Sequence, residues 1–86
     1  MRNPLQWWRA RRAIRRARDE ALVAGVLWHT PDLPGWSLIR DTGLSPGRVY
    51  VALARLEGDG RVTARRADGP YPRRRLYRLA GEDGRQ

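Results

Sequence analysis

Eighty-six residues suffice for one small domain with a modest core and exclude a second. Eighteen basic residues, all of them Arg, stand against nine acidic ones, giving a formal charge of +9 and a pI near 11.6 that point to a polyanionic partner. The absence of Cys excludes a disulfide framework and thiolate metal ligation.

Arg without Lys fits either a GC-rich coding sequence or selection for the planar fork that grips phosphates and guanine edges. No apolar run reaches the roughly eighteen residues of a membrane span, Leu22 to Trp28 being too short. The Arg-rich start also lacks the clean apolar stretch and cleavage site of a secretory signal. The expectation is a cytoplasmic, nucleoid-associated protein with no membrane attachment, metal, cofactor or small-molecule ligand.

Asn3 before Pro4 is a helix start, and residues 4 to 28 contain no internal Pro, so one long helix or two abutting ones, the second from Asp19 to His29, is expected. Trp7, Ala10, Ile14, Ala17, Ala21, Ala24 and Trp28 recur at alternating steps of three and four, a heptad-like seam. Arg9, Arg11, Arg12, Arg15, Arg16 and Arg18 fall off it. About 25 residues would span roughly 37 Å, so residues 1–18 are expected to overhang a domain of residues 19–80 as a basic extension. Its seam either packs on that domain or pairs with a second copy through Trp7, Trp8 and Ile14, and its Arg face either is solvated or touches phosphates.

Thr30 to Gly35 is loop chemistry, after which Trp36 to Thr42 can form two helical turns that bury Trp36, Leu38 and Ile39 and stop at Gly43. Ser45 is then an N-cap and Pro46 suits the first helical position. Val49, Ala52, Leu53 and Leu56 make the buried stripe of this helix, leaving Gly47, Arg48, Tyr50, Val51 and Arg55 outward. Beyond the Gly58 to Gly60 turn, Arg61 to Ala67 alternates with Val62 and Ala64 on one side. A second turn, Asp68 to Pro72, leads into Arg73 to Leu79 with Tyr77 and Leu79 inward, completing a hairpin. Arg65, Arg66, Arg73, Arg74 and Arg75 crowd its tip. Residues 81–86 read as a flexible tail.

The order is helix, helix, helix, basic hairpin: mainly α with a β-hairpin (α+β), a winged helix-turn-helix with an extended N-terminal helix. Over Gly47 to Val62 (GRVYVALARLEGDGRV) and Arg73 to Arg85 (RRRLYRLAGEDGR) the sequence resembles PadR-type transcriptional regulators, matching at Tyr50, Leu53, Leu56, Glu57, Gly60, Val62, Tyr77, Leu79 and Gly84. The stretch is short, and other winged-helix families, MarR-like ones included, stay open. The resemblance implies sequence-specific binding of double-stranded DNA, with the helix 45–57 in the major groove and the wing 65–75 on the backbone or minor groove. Ser45, Gly47, Arg48, Tyr50, Val51, Arg65, Arg66, Arg73, Arg74 and Arg75 would carry it. The family's long C-terminal dimerisation helix has no counterpart in these residues, which leaves a homodimer to the N-terminal seam.

Enzymatic activity is not expected, because His29 is the only imidazole and no Ser or Thr lies in a catalytic motif. Trp28 and Trp36 read as core, His29 as a helix-end residue, and Arg61 and Arg78 as solvated strand positions. The rival classes are an RNA-binding or ribosome-associated basic module and a small phage or plasmid adaptor that binds a protein partner.

Overall fold

A computed structural model describes residues 3–70 and 74–83. They form α1 (Pro4–His29), β1 (Leu33–Pro34), α2 (Gly35–Thr42), α3 (Pro46–Gly58), β2 (Val62–Arg66), β3 (Arg75–Leu79) and one short turn of helix, α4 (Ala80–Asp83). The turn sits at the start of the segment read as a tail.

α1 is unbroken over 26 residues. Asn3 caps it by accepting from the Leu5 amide at 2.9 Å, and Pro4 occupies the first turn, where no amide hydrogen is needed. Nothing at Asp19 ends one helix and begins another, and Gly25 alone does not break the ladder. Its buried residues are Asp19, Val23 and Leu27, spaced by four. The heptad-like seam therefore lies on the other side of the helix: Trp7, Ala10, Ile14, Ala17, Ala21 and Trp28 are exposed, and Ala24 is half-buried. Trp28 is accordingly not core, being 50 % exposed. Every described residue before Asp19 is exposed, and the molecule is 57 Å along its longest axis against 29 and 20 Å across.

α2 buries Gly35, Ser37 and Leu38 and half-buries Ile39. Trp36 is a second correction to the expected core, at 49 % exposure. The cause is Gly35. A β-carbon there would fall 2.8 Å from Cζ of Tyr50, so the missing side chain lets the Tyr50 ring of α3 lie against the start of α2. Leu38 then points into the core and Trp36 out. Gly43 ends α2 in the left-handed region (φ 73°), while Thr42 Oγ1 donates to the Leu38 carbonyl at 2.6 Å and accepts from the Leu44 amide at 3.2 Å.

α3 starts where its cap residues place it: the Ser45 hydroxyl accepts from the Arg48 amide and Pro46 follows. Val49, Ala52, Leu53 and Leu56 are buried, as their spacing requires. The hairpin pairs Val62 with Leu79, Ala64 with Tyr77 and Arg66 with Arg75. Val62 and Tyr77 are buried, with Ala64 and Leu79 half-buried beside them. The sheet has a third strand, β1, beyond the hairpin that the sequence pattern predicts. It pairs Leu33 with Tyr77 and Pro34 with Leu76, giving the antiparallel order β1-β3-β2. Two residues carry too little alternation to announce a strand, and Pro34 is tolerated because β1 is an edge. Asp32, just before it, adopts φ 61° and accepts from Arg78 at 3.2 Å, so Arg78 is an anchored position and not a solvated one.

One core results, built from Val23 and Leu27 of α1, Leu38 of α2, the α3 stripe, Val62 and Tyr77. Leu53→Ala is expected to cost about 2–5 kcal/mol in urea unfolding followed by circular dichroism, through lost transfer energy and the cavity left behind. Val51→Ala, two residues away on the exposed side, is expected to stay within about 0.5 kcal/mol. Equal losses would contradict the assignment of α3's inner face.

Candidate nucleic-acid interface

Around α3, three strips leave the core. The outermost, Gly47, Val51, Ala54 and Gly58, is exposed and carries no polar side chain. One flank, Arg48 and Arg55, faces α1. The other, Tyr50 and Glu57, faces α2 and the hairpin.

Each flank is locked by ion pairs. Arg48 donates from Nε at 2.9 Å and from Nη2 at 2.6 Å to the two carboxylate oxygens of Asp19, a bidentate fork that spans α3 and α1. Asp19 is 7 % exposed and is the only charged residue in the buried part of α1. The hydrogen bonds from Arg48 hold its carboxyl below the usual carboxylate range, against the opposing effect of burial, with Arg15 and Arg18 adding to the lowering. Arg48 is pushed upward by the same contact. Arg55 reaches Glu20 of α1 at 3.1 Å, and Arg75 of β3 reaches Glu57 at 2.9 Å.

The hairpin arginines divide in the same way. Arg65 lies 3.7 Å from Asp32, and Arg75 lies 5.7 Å from the Tyr77 ring centre in addition to pairing with Glu57. Arg74 sits 5.7 Å from the centre of the exposed Trp36 ring, which Arg40 approaches to 5.2 Å from α2. Arg66 is exposed opposite Arg75. Arg73 lies outside the described residues.

Ser45, Gly47, Arg48 and Val51 thus share the leading end of α3, while Tyr50 stands on the flank that the hairpin approaches through Glu57 and Arg75. Sequence reasoning missed the fork between Arg48 and Asp19, and with it the fact that two of the Arg48 donors are already engaged. The signal was present in Asp19, Val23 and Leu27, which lie four apart and put an acid in line with an apolar stripe. It also missed a groove between α1 and α3, lined by Arg12, Arg15 and Arg16 on one wall and by Gly47, Val51 and Arg55 on the other. Trp8 turns away from the seam and lines an adjoining hollow with Leu22, Leu44 and Arg48. Among the described residues no three His, Cys, Asp or Glu side chains gather as a metal site, and no helix is long and apolar enough to cross a membrane.

No protein-family model matches the chain, and no curated protein does. Among solved structures it is similar to a PadR family transcription regulator from hypervirulent Clostridium difficile, with a TM-score of 0.66 at 22 % identity, over 78 % of this chain and 76 % of that one. Three helices with a three-stranded antiparallel sheet, in that superposable arrangement, are a PadR-like winged helix.

A carboxyl lowered by folding contributes stability above its ordinary value of 3.8, and that contribution is lost as pH falls through the lowered value. The midpoint of thermal unfolding should therefore drop on acidification below about pH 4. Asp19→Asn should lower it at neutral pH and flatten the acid limb; an unchanged acid limb would mean that the pair does not couple α1 to α3.

Proposed function

We propose that the chain binds double-stranded DNA and acts as a transcriptional regulator, with α3 in the major groove and the hairpin on the neighbouring backbone. What supports this is the cross-section of α3: a narrow strip of Gly47, Val51 and Ala54, bordered on one side by Arg48 and Arg55 and on the other by Tyr50 and the hairpin arginines. A strip without large side chains enters a groove closely, and guanidinium groups beside it meet the phosphates that line the groove. Gly47 allows the close approach, Val51 offers methyl groups to thymine methyls, and Ser45 and Tyr50 offer hydroxyls to phosphate. Arg48 keeps Nη1 for a base edge or phosphate, while Arg65, Arg66, Arg73, Arg74 and Arg75 meet the backbone or minor groove.

On this reading affinity comes mostly from phosphate contact and the protein performs no catalysis, needs no cofactor and works at the nucleoid. A duplex titrated at several salt concentrations should bind with a steep salt dependence. Arg74→Ala should reduce the slope of log K against log salt by about one unit. Val51→Glu should abolish binding while leaving the fold intact by circular dichroism. Unimpaired binding by Val51→Glu, or displacement of the duplex by equimolar structured RNA, would overturn the assignment.

A second reading concerns self-association, and the exposed seam of α1 favours it. Trp7 and Ile14, with Ala10, Ala17 and Ala21 between and beyond them, form an uncovered heptad-like stripe; Trp7 is 43 % and Ile14 59 % exposed. Pairing of two copies along it covers that stripe and leaves Trp8, which turns away from it, outside the contact. Sedimentation of the full chain should show a dimer that Ile14→Glu converts to a monomer; a wild-type monomer removes the reading.

A further inference from the structure

We infer that the N-terminal half of α1 is a second DNA-binding arm, in which Arg12, Arg15 and Arg16 hold a run of phosphodiester backbone in the groove between α1 and α3. This rests on the reading of α3 as the groove-entering helix. It adds a contact surface outside the winged-helix unit.

On α1 the side that faces α3 is buried at Asp19, Val23 and Leu27. One to two turns earlier, the same side is continued by Arg12, Arg15 and Arg16, at steps of three and four. A surface meant to receive more protein would continue as an apolar stripe; this one becomes cationic where the core ends. The resulting groove has a volume of about 300 Å³. Of its acids, Asp19 is taken by Arg48 and Glu20 by Arg55. Arg12, Arg15 and Arg16 have no ion pair among the described residues, and all three are exposed.

Charge alone would leave several polyanions open, and the opposite wall narrows the choice. Beside Arg48, Ala52 and Arg55 it carries Gly47 and Val51, the residues that the proposed reading puts toward the floor of the major groove. A strand of phosphates bordering that major groove must then pass beside the α1 wall. Like charges three and four residues apart on a helix repel one another, and a row of phosphates removes that repulsion. Residues 4 to 18 rise about 22 Å along α1, which corresponds to a flank of roughly six base pairs.

The test uses the intact chain and a duplex of about 24 base pairs, with binding measured across salt concentrations. R12A/R15A/R16A should lower the slope of log K against log salt by about two to three units, whereas R61A, at the exposed turn after α3, should change it by less than about 0.3. Ala is a good helix former and the three sites are exposed, so circular dichroism should be unchanged. R12K/R15K/R16K should restore the slope, because a phosphate accepts a point charge. Wild-type binding with an unchanged slope in the triple Ala variant would overturn the arm and leave the α3 reading standing. Failure of the wild-type chain to bind duplex at all would overturn both.

Discussion

The fork between Arg48 and Asp19 is the contact on which the geometry of the candidate surface depends. A carboxylate buried at the edge of a core is costly without a partner, and a bidentate guanidinium is the partner whose shape fits it best. Because one residue stands on α1 and the other on the first turn of α3, the pair fixes the leading end of α3 relative to α1. It also fixes the direction in which the exposed half of α1 leaves the domain. Glu20 with Arg55 repeats the tie further along α3, and Glu57 with Arg75 fastens the hairpin to its last turn. Such exposed pairs contribute little stability singly. Their effect is to hold three elements at fixed separations around one helix.

That arrangement redistributes the arginines. The sequence presents them as one excess of charge, yet several are committed to structure: Arg48, Arg55 and Arg75 brace α3, while Arg78 and Arg65 hold the strained Asp32 ahead of β1. The outer strip of α3 is left without a hydrogen-bonding side chain. On the proposed reading such a strip would offer base edges apolar contact alone, and hydrogen-bonded readout would fall to the remaining donors of Arg48 on its flank.

Much of the fold was legible because local chemistry and burial agreed. Ser45 with Pro46, Gly43 at a left-handed position, and the spacing of Val49, Ala52, Leu53 and Leu56 each have a single mechanical reading. The errors came where periodicity is ambiguous about which face is inner. In α1 the heptad-like seam and the stripe of Asp19, Val23 and Leu27 are both regular. The seam is longer and richer in Trp, but Val23 and Leu27 are the pair that fits the cleft over α2 and α3. Trp28 and Trp36 are half exposed although large and apolar, because size alone does not decide which face of a helix is inner. The close approach of the Tyr50 ring to Gly35 joins residues fifteen apart and leaves no mark in either segment alone. The same holds for the two-residue strand β1, whereas Asp19 stands in line with Val23 and Leu27 but nothing local names Arg48 as its partner.

The two faces of α1 have opposite chemistry, and this links the readings proposed for them. The seam of Trp7, Ile14 and the alanines is apolar, but Arg11 and Arg18 stand at its border, with Arg11 4.8 Å from the Trp7 ring centre. Bringing two such helices together without an anion confronts one row of guanidinium groups with another, over a distance comparable to the roughly 8 Å screening length of physiological salt. On the two readings proposed above, phosphates in the α1–α3 groove would neutralise part of that charge from the opposite face. Self-pairing and DNA attachment would then favour each other by the same coupling free energy, whichever came first. A basic helix with an apolar back would, on those readings, be a surface whose stickiness toward its own kind is set by whether nucleic acid is already held.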